Sequence, residues 1–339
     1  MELLKKLYSI HSMSGKEKKM RKFIKRWVSE NVPEADCITD TLGNIYITKG
    51  VSKRKTYPVV VAHIDQVQNA HSRDFEALEM GGIIVGYSEK SRAQQGLGAD
   101  DKNGIWVALK CLLRFNIIKV ALFVSEEVGC VGSSAADMTF FDDARFVLQC
   151  DRRGAHDLIT EAGWTDLCSR EFVKAISPEL YGYKEESGML TDVLTLKESG
   201  LKVSCLNLSC GYYEPHTNYE FTNVDDLLNC FAFVEHIILT CKDVYPHEYS
   251  YSNYYSKYYY DKYDFGFGER YSEFEQQYYD VIKELLQTYP TAAFDDVFWY
   301  LSESFKTEKF YESWVRQLYV DVKCELLEKE YTETVKTDI

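Results

Sequence analysis

Apolar positions along the first 243 residues switch between two rhythms. Met20, Phe23, Ile24, Trp27 and Val28 recur at helical spacing behind Ser14-Gly-Lys-Glu17, a capping-box pattern, and predict an amphipathic helix. Asp40-Thr-Leu-Gly43-Asn44 then turns the chain into a short strand over residues 45–48. Tyr57-Pro-Val-Val-Val-Ala-His63 is short, apolar and β-branched, which suits a strand buried on both faces of a parallel sheet. Residues 75–87 alternate about Gly81-Gly82 and predict a hairpin. Residues 117–125, 146–150 and 202–209 are three further buried strands. Between the strands lie helical patterns: Ile105, Trp106, Leu109, Leu112 and Leu113; residues 170–176; and residues 191–198, ended by Gly200. A last pattern, capped by Asn223 and running to Thr240, places Leu227, Leu228, Phe231, Val234, Ile237 and Ile238 on one face. Strands alternating with helices predict an α/β domain over residues 1–243, with a mainly parallel central sheet and helices on both faces.

The rhythm breaks near Val244. Nine tyrosines fall between residues 245 and 263 with almost no aliphatic side chains, so residues 244–268 read as a tyrosine-rich linker. Helical spacing returns over residues 270–288, 292–305 and 308–329, the last with Tyr311, Trp314, Leu318, Val322 and Leu326. Residues 269–339 therefore read as an all-helical extension. From Tyr245 on the chain holds 10 basic and 19 acidic residues, so much of its acidity lies there.

Charge removes some function classes. The 339-residue chain carries a formal charge of −14, with no basic surplus to neutralise phosphates, which argues against nucleic acid or an anionic membrane as partner. No apolar run approaches the ~18 residues of a membrane span, and the opening Met1-Glu2-Leu3-Leu4-Lys5-Lys6-Leu7 is too charged for a secretory signal. Ten cysteines form no C-x-x-C pair, and most, such as Cys111 and Cys230, sit in apolar runs as small hydrophobes. A reducing cytoplasm is the expected location. A homo-oligomer is left open.

The candidate chemistry gathers at strand ends. His63-Ile-Asp65 ends the first buried strand, and Gly96-Leu-Gly-Ala-Asp100-Asp101-Lys-Asn-Gly104 opens the next helix. Glu126-Glu127 follows the strand ending at residue 125, Asp151 follows residues 146–150, and His216 follows the strand ending at residue 209. Each has a plain alternative: Asp100-Asp101 as a helix cap with a solvated neighbour, His63 as a hydrogen-bonded structural histidine, Glu126-Glu127 as a surface pair, Asp151 as a cap. His11, His71, His156, His236 and His247 are read as structural. Together, though, the residues fall outside the carboxyl ends of the strands, where open α/β sheets bind ligands. Two imidazoles and several carboxylates, with no thiolate, are donors suited to two divalent ions, Zn²⁺ first and Co²⁺ or Mn²⁺ as alternatives. Gly96-x-Gly98 and Gly129-x-x-Gly132 lack the full dinucleotide pattern after a strand.

These motifs, over residues 1–243, resemble the co-catalytic dizinc exopeptidase superfamily, which includes peptidase T, compact aminopeptidases and carboxypeptidase-G-like enzymes. The family order of H-x-D, paired aspartates, paired glutamates, Asp and late His is met by His63/Asp65, Asp100/Asp101, Glu126/Glu127, Asp151 and His216. Asp151-Arg-Arg-Gly154 and Pro215-His216-Thr217 are most similar to peptidase T. The resemblance implies that Asp100 bridges two metals, that His63 and Asp151 complete one site, and that Glu127 and His216 complete the other. It implies Glu126 as general base, Asp65 orienting His63, Asp101 supporting the bridge, and a cis peptide between the paired aspartates. The implied reaction is hydrolysis of an amide bond in a short peptide, as an aminopeptidase or di/tripeptidase, through a metal-activated water. The alternative within the clan is an N-acyl-amino-acid deacylase or carboxypeptidase. A binding or scaffold protein that lost the chemistry would lack a ligand or the base, and every matched position is present. Many relatives insert a lid domain, but residues 66–99 and 152–215 leave no room for one. Arg152, Arg153 and Tyr212 are candidate substrate contacts; a surface salt bridge for the arginines and ordinary packing for Tyr212 explain them as well.

Overall fold

The computed structural model describes residues 1–68, 70–163, 165–249 and 273–290, and the single positions 297, 298, 300, 301, 315, 318, 319, 322 and 326. The chain divides into two units, Met1–Ser256 and Lys257–Ile339. The first unit begins with α1 (Glu2–Tyr8), α2 (Lys18–Asn31), β1 (Ala35–Thr39), β2 (Ile45–Lys49), β3 (Tyr57–His63), β4 (Phe75–Met80), β5 (Ile83–Ser88), β6 (Ala93–Gln95), α3 (Ala99–Arg114) and β7 (Ile118–Phe123). It continues with α4 (Val131–Ser134), β8 (Ala144–Arg152), β9 (Asp157–Ala162), β10 (Thr165–Asp166), α5 (Arg170–Ile176) and β11 (Lys184–Gly188). It closes with α6 (Asp192–Glu198), β12 (Cys205–Ser209), β13 (Tyr212–Tyr213), β14 (Phe221–Asn223) and α7 (Val224–Thr240).

Nine strands form the main sheet in the order β1-β2-β7-β3-β8-β12-β9-β10, with β11 added on β9. Its centre, β7-β3-β8-β12, is parallel, as expected. Its flanks are not. β1 and β2 are antiparallel because a tight turn joins them, in which the Asp40 carboxylate accepts the N–H groups of Gly43 and Asn44. β9 runs antiparallel to β12 and β10.

The central strands read as unbroken apolar runs because both faces are covered. On β3, Val60 and Ala62 join the larger core with Met20 and Ile24 of α2, Ile105 and Leu109 of α3, and Phe233 and Ile237 of α7. Val59 and Val61 face the smaller core with Val193 and Leu196 of α6. Phe146 is fully buried and stacks on Phe172 of α5, ring centres 5.2 Å apart. Phe146→Ala is expected to lower the unfolding free energy by about 3–5 kcal/mol in a denaturant titration, as for other large-to-small core changes.

The expected hairpin is present as β4-β5. It grows into a second, antiparallel sheet, β13-β14-β5-β4 with β6 on β5, which holds the loop between β13 and β14 against the Gly96–Asp100 turn. Among the described residues, 66–99 hold β4, β5, β6 and the start of α3, and 152–215 hold β9 to β13 with α5 and α6.

The capping box does not form. Glu17 occupies the N-cap of α2 without a side-chain cap bond. Ser14 instead donates its hydroxyl to Asp65 Oδ2 at 2.7 Å, and Glu17 Oε1 accepts from Gly15 N–H and the Ser125 hydroxyl. A buried carboxylate without donors costs more than a helix end that water can reach. Asn223 does cap α7, accepting from the N–H groups of Asp225 and Asp226.

The described start of the expected linker is tied to the first unit. Tyr245 exchanges backbone bonds with Arg145 and Ser204, and its ring lies 4.7 Å from that of Phe172. Residues 250–268 of that segment lie outside the described residues. In the second unit α8 (Glu273–Thr288) matches the expected helix at 270–288. Tyr278, Ile282 and Leu286 pack with Val297, Leu301, Val315, Leu318 and Val322 in a core of their own. The bounds of the other two expected helices lie outside the described residues.

Candidate metal centre

Parallel strands deliver their last residues to one edge. His63 ends β3, Glu126 and Glu127 follow β7, and β8 runs through Asp151 to Arg152. Asp100 and Asp101 open α3 behind Gly98, in non-helical conformations, and the peptide between them is cis. His216 comes from the β13–β14 loop with φ +65°, a left-handed conformation uncommon outside glycine. Thr217 pins that loop by donating to Glu214 O and accepting from Tyr219 N–H.

Two sets of donors meet on one carboxylate. His63 Nε2 lies 3.1 Å from Asp100 Oδ1 and 3.5 Å from Asp151 Oδ1. His216 Nε2 lies 3.3 Å from Asp100 Oδ2 and 3.1 Å from Glu127 Oε2. His63, Asp100 and Asp151 form one group of converging donor atoms; Asp100, Glu127 and His216 form the other. Each Asp100 oxygen thus serves a different group. Glu126 belongs to neither, yet its Oε2 is 3.9 Å from His63 Nε2.

The donors fit a divalent cation. Metal–ligand bonds of about 2.0–2.2 Å in a tetrahedral site place ligand atoms about 3.3–3.6 Å apart, close to these four separations. A protonated imidazole nitrogen has one hydrogen to offer, whereas His63 Nε2 faces carboxylates of Asp100, Asp151 and Glu126. Glu127 Oε1 is buried with no partner among the described residues.

Electrostatics agree. Burial pushes the carboxyls of Asp151 and Glu126 well above their ordinary range, opposed by His63, and the neighbouring acids push the same way. Burial and the Asp100 charge raise Glu127. Burial also pushes at Asp100, but His216 and His63 outweigh it and hold that carboxyl well below the carboxylate range. Hydrogen bonds to Asp100 and Glu127 carry His216 up to about 11. The protein by itself undercompensates this cluster of acids, a deficit that bound cations would remove.

Neighbours hold the donors in place. Asp65 Oδ1 lies 3.3 Å from His63 Nδ1, and its oxygens accept the N–H groups of Glu126 and Glu127, tying the end of β3 to the end of β7. Asp101 accepts from His63 N–H and Gly104 N–H. A Cβ on Gly104 would sit 2.3 Å from the Asp101 carboxylate, so α3 needs glycine there.

Other expected residues are placed differently. Arg152 donates from Nε to Asp157 at 3.0 Å, the surface salt bridge of the plain reading. Arg153 is exposed. Tyr212 is buried in the larger core, and its carbonyl accepts from Gly154 N–H. His11 and His71 bond the carbonyls of Gln68 and Gly96. With His156, His236 and His247 they belong to neither donor group.

Sequence reading missed the supports of Asp151 and Asp100. Gln149 donates to Asp151 and Asp192, and its own carbonyl accepts from Thr191. Asn207 exchanges two bonds with the Asp151 backbone. A signal existed for both: each is an amide inside an otherwise apolar strand, where a buried polar group must find a partner. Glu220, which accepts from Gly98 N–H and Asp100 N–H, had no such local signal.

No family model matches the sequence, and no curated protein sequence matches it. Among solved structures, aminopeptidase PepT from Bacillus cereus is similar with a TM-score of 0.58 at 15% identity, over 69% of this chain and 96% of its own. An aminopeptidase from the archaeon Desulfurococcus kamchatkensis gives 0.56 at 18% identity, over 70% and 93%. A tripeptidase from Staphylococcus aureus gives 0.54 at 13% identity, over 70% and 96%. The chain shares the fold of these peptidases.

Proposed function

We propose that the protein is a metal-dependent exopeptidase acting on short peptides. One observation carries this reading: two groups of metal-competent donors share Asp100, with the part-buried Glu126 carboxylate beside them. In this reading His63 and Asp151 hold one ion, Glu127 and His216 the other, and Asp100 both. Two divalent ions, Zn²⁺ first and Co²⁺ or Mn²⁺ as alternatives, would supply Lewis acidity and an acidified water. Glu126 takes the proton of the attacking water and returns it to the leaving amine. Asp65 keeps the His63 ring oriented, and Asp101 holds the strand end and the first turn of α3 together. The shared fold of aminopeptidases and a tripeptidase supports release of an N-terminal residue. The engagement of Arg152 with Asp157 weakens the case for capture of a substrate carboxylate there.

The test is a substrate screen of the metal-reconstituted protein against aminoacyl arylamides, tripeptides and N-acyl amino acids. Hydrolysis of the first two is expected. Turnover of N-acyl amino acids alone would move the reading to a deacylase, and two bound ions with no turnover would favour a binding protein. For the ligand assignment, His216→Ala is expected to weaken one ion by at least about 100-fold, the upper end of what loss of a supporting contact costs. Elemental analysis still giving two tightly held ions per chain would remove His216 as a ligand.

A further inference from the structure

Side chains bond four backbone groups of the buried Gly96–Asp100 turn. His71 bonds Gly96 O, and Lys102 Nζ donates to Leu97 O at 3.2 Å. Gly98 N–H donates to Glu220 Oε2 at 2.6 Å, and Asp100 N–H to Glu220 Oε1 at 3.1 Å. Glu220 is fully buried and lies four residues beyond His216, at the end of the same loop. One side chain therefore joins the loop that carries His216 to the turn that carries Asp100.

A polar relay holds this carboxylate from behind. Lys102 Nζ donates to Gln66 Oε1 at 2.5 Å, Gln66 Nε2 to Gln68 Oε1 at 3.0 Å, and Gln68 Nε2 to Glu220 Oε2 at 3.2 Å. Both amides point the same way, from a buried ammonium towards a buried carboxylate. Three N–H donors thus converge on Glu220. A carboxylate meets that demand because it only accepts; a glutamine of the same shape would set an NH₂ against one of the donors. The first donor group has other supports, Asp101 for His63 and Gln149 with Asn207 for Asp151. Glu220 holds Asp100, which both groups share, and the loop that carries His216, which belongs to the second alone.

We infer that Glu220 is a positioning residue for the second metal site, setting the separation of His216 from Asp100 through the Gly98 and Asp100 amides. This rests on the two-ion reading of the centre. The experiment compares wild type, Glu220→Gln, Glu220→Asp and Gln68→Leu by competition titration with Zn²⁺ and by elemental analysis. Glu220→Gln is expected to weaken the more labile ion about 10–100-fold and the other less, as for loss of a supporting contact to a ligand. Glu220→Asp keeps the charge but is a methylene too short to span both amides, and the same selective loss is expected. Gln68→Leu, which leaves the two amide bonds, is expected to lose less. Wild-type affinities in Glu220→Asp would show that charge alone matters and overturn the inference. So would a fall in melting temperature with both ion affinities unchanged. Hydrogen exchange of the Gly98 and Asp100 amides in the ion-free protein is the second readout, protected in wild type and at least 10-fold faster in both Glu220 variants. If wild type binds no metal, the two-ion reading fails, and unchanged exchange at these amides would separately show that Glu220 does not hold the turn.

Discussion

Replacing Glu126 with alanine is expected to leave two ions bound per chain while turnover falls by roughly 10²–10⁴-fold, the usual contribution of a positioned acid–base group. Glu126 lies outside both donor groups, so its removal takes no ligand from either. Its backbone N–H is anchored on Asp65, a bond that alanine keeps. Its side chain is 12% exposed, and among the described residues its Oε1 accepts only the weak Cys130 thiol, at 3.4 Å. Burial raises its carboxyl well above the ordinary range, and the charge of bound ions would draw it back down. A carboxylate so poised can take a proton from water and give it up again. Glu126→Gln, which keeps the shape, should lose as much. The check is kcat measured on samples whose metal content is determined in parallel. Full hydrolysis by either variant with both ions present would end the role of Glu126 as base.

Asp100→Ala is expected to do more, removing both ions together and taking hydrolysis to background. Its two oxygens face different imidazoles, at 3.1 and 3.3 Å, so one substitution strikes both groups. That is the contrast with His216→Ala, where His63, Asp100 and Asp151 remain. Removing a carboxylate from a site also strips the charge that draws a divalent ion in. Stoichiometry by elemental analysis after gel filtration separates the outcomes. Two ions should fall to none for Asp100→Ala and to one for His216→Ala. One ion held by Asp100→Ala at wild-type affinity would show that the two groups are independent and that Asp100 does not bridge them.

Much of the first unit was legible along the chain because its central strands are buried on both faces. Val59, Val60, Val61 and Ala62 are all fully buried, so the run has no polar break, and the first charged or imidazole groups appear where the strand leaves the sheet. The flanks were harder. β9 mixes charged and apolar residues, β11 is polar and mostly exposed, and β13 and β14 are only two and three residues long, so their apolar rhythm is faint. Ser14 misled for a related reason: Ser-x-x-Glu before an apolar stripe suits a cap, and nothing nearby in sequence announces that Asp65 needs its hydroxyl.

The sequence by itself marked the buried strands and helices, and so the polar residues that follow them or open the next element: His63, Asp100, Glu126, Glu127, Asp151 and His216. Burial leaves a local trace, since a covered strand is mostly apolar and a polar residue inside it, such as Gln149 or Asn207, must find a partner. Only the tertiary structure decided how those groups face one another. It set one oxygen of Asp100 towards His63 and the other towards His216, turned Arg152 to Asp157, and brought Glu220 to Gly98 across 122 residues of chain. A hydrogen bond or a shared ligand depends on position to within a few tenths of an ångström. That position is fixed by the packing of distant elements, and it leaves no periodic mark on the residues that make it.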